Sequence, residues 1–230
     1  MSTKNLIIAF GGVSPEHEVS VLSAIQAISS MENSQYNLVP LYISKSGKWF
    51  TGNQLLELET YKDLSKLEEN ALQCAFVKDD IGRTHLKQQN SSGLFSKPKS
   101  YPVYAVVCAF HGSGGENGAF QGICDFFNVP YTGSDVLASS LGMDKVKAKQ
   151  VCVANDIPVT DSLDFYESNW ETDQETIIKE AEILGYPLIV KPCSLGSSIG
   201  VAKADSQDEL INVNHNVIRH PDMPPAAFEG

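Results

Sequence analysis

The 230-residue chain carries 28 acidic and 17 basic residues, which gives a formal net charge of −11, and 42% of its residues are hydrophobic. This composition is typical of a globular protein, and the shortage of basic residues argues against nucleic acid or an anionic membrane surface as the main partner. No apolar run approaches the length of a membrane span, and the apolar run at residues 6–10 is too short for a signal peptide.

The first predicted element is a strand over residues 5–10, because a continuous apolar run is typical of a parallel strand buried on both faces. A polar loop follows, and apolar residues then recur at helical spacing over 19–28. Residues 38–43 predict a second strand, and Ser46-Gly47 predicts a turn into a hairpin-like return.

The next part of the sequence is less regular. Residues 53–70 are polar and predict short helical segments. Residues 79–99 predict a loop or a small edge hairpin without catalytic residues. A clear strand pattern over 104–110 then leads through a second Gly-rich loop into a helix over 119–127.

This alternation of strands and helices predicts an α/β fold whose first part is an open, mostly parallel sheet. The two polar loops, after Phe10 and after Phe110, are expected at the carboxyl ends of strands, where ligands bind in such sheets. Neither loop contains Gly-x-Gly-x-x-Gly, so a dinucleotide site is disfavoured.

The second part of the chain predicts a helix over 144–155 and a strand beginning within 157–161. Two capping-box patterns follow. Thr172-x-x-Glu175 is predicted to open a helix that ends near residue 184, and Ser206-x-x-Glu209 a helix that extends to about residue 217.

Between these helices, a short apolar strand at 188–190 ends in Lys191 and is followed by a loop rich in Gly and Ser over 194–200. Backbone N–H groups of such a loop can surround anionic oxygens, and the lysine adds a point charge for a phosphate. The pattern returns to β-branched residues and not to a helix, so it differs from a Walker loop. Two interpretations stay open: a hairpin flap over a triphosphate, or an ordinary turn between two strands.

Four segments in order make the chain resemble the D-alanine–D-alanine ligase family of the ATP-grasp superfamily. They are Phe10-Gly-Gly-Val-Ser-Pro-Glu16-His-Glu-Val-Ser20; His111-Gly-Ser-Gly-Gly-Glu116-Asn-Gly-Ala-Phe-Gln-Gly122 with Pro130-Tyr-Thr-Gly133; Met143-Asp-Lys145; and Lys191-Pro-Cys-Ser-Leu-Gly-Ser197-Ser-Ile-Gly200. The resemblance implies an N-terminal α/β substrate domain at 1–133, a first, partial ATP-grasp α+β subdomain at 134–219, and an irregular tail at 220–230.

The resemblance also implies the chemistry. ATP phosphorylates the carboxylate of one D-alanine, and the amine of a second D-alanine displaces phosphate to give D-alanyl-D-alanine for peptidoglycan precursors. Lys145 and Lys191 are expected at the ATP phosphates, with Ser198 in the flap and Ser197 as the catalytic serine of that flap. Glu16 is the expected catalytic residue that holds the ammonium of the first D-alanine, and His111 and Glu116 are expected to border the same substrate.

Members of this family use Mg²⁺ or Mn²⁺ and usually form homodimers. In the resemblance, the ligands for the metal lie beyond Gly230, so this chain is expected to supply none and not to make dipeptide alone. The five scattered cysteines lack metal-ligand spacing and predict buried thiols in a reducing cytoplasm.

Several alternatives remain at this point. The product could be D-alanyl-D-lactate or D-alanyl-D-serine, or the chain could be a non-catalytic remnant or binding module. Taken singly, Glu16 could be a helix N-terminal charge, His111 an ordinary loop histidine, and Lys145 part of an exposed first-turn pair. His17 is predicted to have a structural role.

Overall fold

The computed structural model describes residues 4–31, 34–90 and 97–218. The chain divides into two compact units, Met1–Ser140 and Leu141–Gly230. The predicted domain boundary after residue 133 stays a prediction, and the predicted irregular tail at 220–230 lies outside the described residues.

The described part of the first unit contains six strands and their connecting helices. The strands are β1 (Lys4–Gly11), β2 (Tyr36–Ile43), β3 (Trp49–Thr51), β4 (Leu72–Lys78), β5 (Thr84–Gln88) and β6 (Ser100–Cys108). The α-helices are α1 (His17–Met31), α2 (Leu64–Asn70), α3 (Ala119–Phe127) and α4 (Val136–Met143), and short 3₁₀ helices span Asn53–Leu56 and Leu58–Lys62. The division between the units falls within α4.

The α/β class is confirmed, but the strands are arranged differently from the expected open, mostly parallel sheet. β1 pairs in parallel with β2 and with β6, and every other neighbouring pair in the order β1 to β6 is antiparallel, so that the strands close into a barrel. The reason lies in the connections. Tight turns closed by hydrogen bonds from Gly47 N to Ser44 O and from Gly82 N to Asp79 O, both 2.9 Å, are too short for a parallel crossover.

The segment 79–99 contains β5, which pairs with β4 on one side and with β6 on the other, so it is not an edge hairpin. β4 was not predicted from the sequence. Its buried side chains, Cys74 and Phe76, alternate with less buried neighbours, as in a strand with one face on the core.

β1 separates two layers of core. Ile7 and Ala9 face one cluster, which α3 covers, and the alternate residues Leu6, Ile8 and Phe10 face the other, which α1 covers. Burial of each large apolar side chain contributes about 1.5–3 kcal/mol to folding. This explains the uninterrupted apolar run: β1 is buried on both faces and fixes the position at which its following loop leaves the sheet.

The second unit contains α5 (Lys145–Ala154), α6 (Glu167–Thr172), α7 (Gln174–Leu184), β7 (Leu188–Val190), β8 (Ala202–Ala204) and α8 (Gln207–Ile218). β7 and β8 pair antiparallel, which confirms the predicted strand–loop–strand. α8 packs on this hairpin through Leu210, which is buried with Ala181 and Ala204.

Two details of this unit differ from the sequence prediction. No strand begins within 157–161, where Ile157 and Val159 are exposed and Pro158 has no N–H to donate to a neighbouring strand. Thr172 ends α6 and does not open the next helix, whose N-cap is Asp173.

The second capping-box prediction is borne out in part. Glu209 N donates to Ser206 Oγ at 3.3 Å, as the pattern requires. The Glu209 carboxylate accepts from Asp205 N at 2.8 Å, one residue before the expected position. Within the described residues, no helix is both long enough and apolar enough to cross a bilayer.

Candidate functional site

The first polar loop joins β1 to α1 and carries Glu16. Ser14 shapes this loop: its hydroxyl accepts from Glu16 N at 3.1 Å, and its carbonyl accepts from His17 N at 3.1 Å. Glu16 is 8% exposed, and its carbonyl accepts from Ser20 N at 3.0 Å. A buried carboxylate therefore stands at the N-terminus of a 15-residue helix, where the helix dipole favours negative charge.

The second polar loop follows β6 and is held by one of its own side chains and by side chains of α1 and α3. Glu116 Oε2 accepts from Gly112 N at 2.6 Å, and Gly115 O accepts from Gln121 Nε2 at 2.7 Å. His111 Nε2 lies 2.8 Å from Ser23 Oγ, which connects this loop to α1. The loop is thus fixed to both helices that flank it.

The two loops meet at Gly112, because β1 and β6 are parallel neighbours whose carboxyl ends lie side by side. The position that a Cβ atom would take on Gly112 lies 2.3 Å from Ser14 Oγ and 2.7 Å from Glu16 Oε2. The same residue donates its N–H to Glu116. The structure therefore brings Glu16 and Glu116 together at one backbone position, and His111 adjoins it in sequence.

Two buried residues of α1 fix this arrangement. Ser20 Oγ accepts from Gly11 N and donates to Ala109 O, both at 2.8 Å, so one hydroxyl joins the ends of β1 and β6 to the helix. His17 is fully buried and bonds Gly12 O at 2.8 Å and Tyr42 Oη at 3.0 Å, in keeping with the predicted structural role.

In the second unit, Lys145 begins α5 and contacts the Ser/Gly loop directly. Its Nζ donates to Leu195 O at 2.6 Å and to Cys193 O at 3.3 Å, and its backbone N–H donates to Cys193 O at 3.1 Å. These contacts lie between Lys191 and Ser197, two of the predicted phosphate-binding residues. They also show that Lys145 is not an exposed first-turn residue, because its ammonium is bound to the loop.

Asp144, the residue before Lys145, caps α5 and binds the same loop. Its Oδ1 accepts from Val146 N and Lys147 N, both at 2.9 Å, and from Cys193 Sγ at 3.0 Å. Burial alone would raise the pKa of Asp144, but these hydrogen bonds outweigh it and hold the pKa below its usual value. The pKa of Cys193 is raised, first by burial and then by the bond to Asp144, so the thiol is the donor at neutral pH.

The loop itself turns at Ser197 and Ser198. Both have left-handed backbone angles, with φ of 49° and 59°, and the turn is closed by bonds from Ile199 N to Gly196 O and from Val201 N to Ser198 O. Left-handed backbone costs a non-glycine residue about 1–2 kcal/mol, so the surrounding contacts must hold the turn in place. Lys191 is exposed at the end of β7, and both serines are exposed.

The sequence pattern missed several residues of these arrangements. Ser20, Gln121, Asp144 and Cys193 were not predicted as site residues, although each makes a hydrogen bond that holds a predicted loop in place. The five cysteines all lie among the described residues and are free thiols, but Cys193 is half-buried and hydrogen-bonded, and does not act only as a small apolar side chain.

The described residues contain no group of three or more His, Cys, Asp or Glu side chains that could hold a metal ion.

Comparison with protein families gives two matches. Residues 5–134 match the family model described as "D-ala D-ala ligase N-terminus", and residues 151–222 match "D-ala D-ala ligase C-terminus". Among curated proteins, the chain is 40% identical over 214 residues to the D-alanine–D-alanine ligase of Thermosipho melanesiensis and 32% identical over 209 residues to that of Bacillus pumilus. These alignments cover 93% and 90% of this chain but 56% and 55% of the relatives, so the chain spans about half their length.

Solved structures with the same fold include ligases with two different products. VanG D-Ala:D-Ser ligase from Enterococcus faecalis has a TM-score of 0.75 and 27% identity, with 96% of this chain and 61% of that chain covered. D-alanine–D-alanine ligase from Helicobacter pylori has a TM-score of 0.73 and 22% identity, with 94% and 64% covered. The second comparison shows the fold alone.

Proposed function

The chain belongs to the D-alanine–D-alanine ligase family, and from this membership we propose that it takes part in the ATP-dependent joining of two D-alanines. The carboxylate of the first D-alanine attacks the γ-phosphorus of ATP, the bond to ADP breaks, and an acyl phosphate forms. The amine of the second D-alanine then attacks the acyl carbon, a proton is released, and inorganic phosphate leaves. The product, D-alanyl-D-alanine, serves peptidoglycan precursor synthesis.

In this proposal the first unit binds the amino acid. Glu16 offers a buried carboxylate to the ammonium of the first D-alanine, a charge-assisted contact that is stronger than a neutral hydrogen bond. His111 and Glu116 border the same substrate. The observation that carries the assignment is the meeting of Glu16 and Glu116 at Gly112, because it places two loops at the carboxyl ends of parallel strands, where ligands of α/β sheets bind.

The second unit binds the nucleotide in this proposal. Lys145 and Lys191 neutralise phosphate charge, and the amides of the turn at Ser197 and Ser198 point donors toward the transferring phosphoryl group. Phosphoryl transfer requires mainly positioning and electrostatic stabilisation, which lysines and backbone amides supply without covalent chemistry. Support comes from the tight turn itself, since a turn can present adjacent backbone N–H groups to an anion.

The family resemblance also implies Mg²⁺ or Mn²⁺, which would offset the charge of the triphosphate. No residue in the described part of the chain is assigned to the metal in this proposal. We further propose a cytoplasmic location, where free thiols persist and ATP is available, and a homodimeric assembly that light scattering would test.

D-Alanyl-D-serine or D-alanyl-D-lactate synthesis is not favoured, because the curated relatives with 40% and 32% identity are D-alanine–D-alanine ligases. The alternative of a non-catalytic remnant, or of a partner-binding module that no longer uses ATP, predicts no binding of the ATP analogue. D-Serine and D-lactate therefore belong in the same experiment as competitors.

The test is a pair of NMR titrations of the ¹⁵N-labelled chain. D-Alanine should shift the amides of the loops around Glu16 and Gly112, L-alanine should shift them less, and a non-hydrolysable ATP analogue should shift the amides of 194–201. Glu16→Gln should lose the D-alanine response and keep the nucleotide response, whereas Lys191→Met should do the reverse. A folded chain that responds to neither ligand would contradict the proposed function.

A further inference from the structure

We propose that Asp144 and Cys193 form a latch that positions Lys145 and the Ser/Gly loop for phosphate binding. This inference rests on the proposed function in that it assigns the loop to a phosphate. The latch itself is a set of contacts within the second unit. Neither residue touches the ligand in this proposal, so both are positioning residues and not catalytic ones.

One half of the latch is a single carboxylate oxygen. Asp144 Oδ1 accepts the two amide protons that open α5, from Val146 and Lys147, and also the thiol proton of Cys193. An N-cap needs only the amides. The third donor comes from 49 residues away in the sequence and ties the loop to the start of the helix.

The other half runs through Lys145. Its backbone N–H donates to Cys193 O at 3.1 Å, and its Nζ donates to Leu195 O at 2.6 Å. The side chain and the carbonyl of Cys193 are therefore both bound by consecutive residues, Asp144 and Lys145. These contacts fix the position of the loop relative to the start of α5 and the direction of the Lys145 side chain.

The role of Cys193 depends on its proton. Burial and the neighbouring carboxylate keep the thiol protonated, so it donates to Asp144 at neutral pH. A serine hydroxyl at position 193 could donate in the same place. Alanine is nearly the same size as serine but has no donor. If Cys193 only fills space, alanine and serine will behave alike; if it is a latch, serine will rescue what alanine loses.

The latch matters because the turn that follows is strained. Ser197 and Ser198 are held at left-handed angles by short turn bonds. Loss of the thiol contact leaves the backbone bond from Lys145 to Cys193 in place, so the fold should persist while the loop samples other arrangements. Ordering a mobile loop on binding costs conformational entropy and so lowers the affinity for the ligand, whereas a loop that is already ordered carries no such cost.

Hydrogen exchange of the free chain tests the latch without any nucleotide. The informative amides are Ile199 and Val201, which are protected by the turn. Cys193→Ala should speed their exchange about fivefold, the effect of losing one ordinary hydrogen bond. Cys193→Ser and the matched control Cys152→Ala, a half-buried cysteine on α5, should stay within about twofold of the wild type.

Binding of a non-hydrolysable ATP analogue, measured by calorimetry on the same variants, tests the positioning role. Cys193→Ala should bind the analogue about fivefold more weakly, and Cys193→Ser should bind it with the affinity of the wild type. The melting temperature of each variant checks that it is folded. The latch is overturned if Cys193→Ala exchanges Ile199 and Val201 at the rate of the wild type, or if Cys193→Ser exchanges them at the rate of Cys193→Ala. A change in exchange without a change in affinity overturns the positioning role. A wild type that binds no nucleotide overturns the nucleotide-binding role proposed for the second unit, while the exchange data still decide the latch.

Discussion

Gly112 is the position where a single methyl group should separate the first unit's two loops. It has a φ of +77°, and a Cβ atom placed there would lie 2.3 Å from Ser14 Oγ and 2.7 Å from Glu16 Oε2. Both distances are too short to persist, and both side chains are buried, so Gly112→Ala must displace the Glu16 carboxylate.

The magnitude follows from two separate effects. A left-handed alanine costs about 1–2 kcal/mol, and overpacking of a buried site adds about 1–3 kcal/mol. Gly114 in the same loop is a matched control: its φ is +87°, and nothing lies within 4 Å of its Cβ position. Gly114→Ala should therefore lower the free energy of unfolding only by the cost of a left-handed alanine, without the cost of overpacking.

Urea denaturation of the two variants measures the difference, and a D-alanine titration measures its consequence. A shift of the binding carboxylate by about 1 Å should weaken D-alanine binding about tenfold or more in Gly112→Ala. Gly114→Ala should bind D-alanine within about threefold of the wild type. Equal losses of stability and equal affinities in the two variants would refute the packing of Glu16 against Gly112.

Three further predictions concern the described structure and are tested without a ligand. Ser20→Ala should lower the free energy of unfolding by about 1–3 kcal/mol in urea, because it leaves a buried amide and a buried carbonyl without their partner; a loss near zero would contradict this. Asp79 has its pKa lowered from 3.8 to about 2, because hydrogen bonds, chiefly from Arg83, outweigh burial. The stability that the ionised Asp79 carboxylate contributes should be complete above its usual pKa and disappear as the pH falls toward 2. Carboxyl NMR should show that the pKa of Asp79 rises in Arg83→Ala. The Cys74 thiol, whose pKa burial raises to about 12, should resist Ellman's reagent at pH 8 in the native state; rapid labelling would contradict its burial.

The sequence predicted the features that short-range patterns encode. The apolar run of β1 predicted a doubly buried strand, and the pattern around Lys191 predicted the strand–loop–strand that β7 and β8 form. The two loops after β1 and β6 were also expected at strand ends, and their meeting at Gly112 follows from the parallel pairing of those strands.

What the sequence did not predict depends on long-range contacts. Closure of the sheet requires β6 to pair with β1 about a hundred residues earlier, and no local pattern in β6 specifies this partner. β4 was missed because its apolar run is short, with Gln73 near its start and Lys78 at its end. The contact between Asp144 and Cys193 joins residues that each look ordinary alone, a helix cap and a small thiol.

A crystal structure of the chain with D-alanine and a non-hydrolysable ATP analogue would test the central claim most directly. The account predicts the D-alanine ammonium within hydrogen-bonding distance of the Glu16 carboxylate, and the analogue's phosphates beside Lys145 and Lys191. Well-ordered D-alanine bound away from Glu16, or phosphates bound away from both lysines, would contradict it.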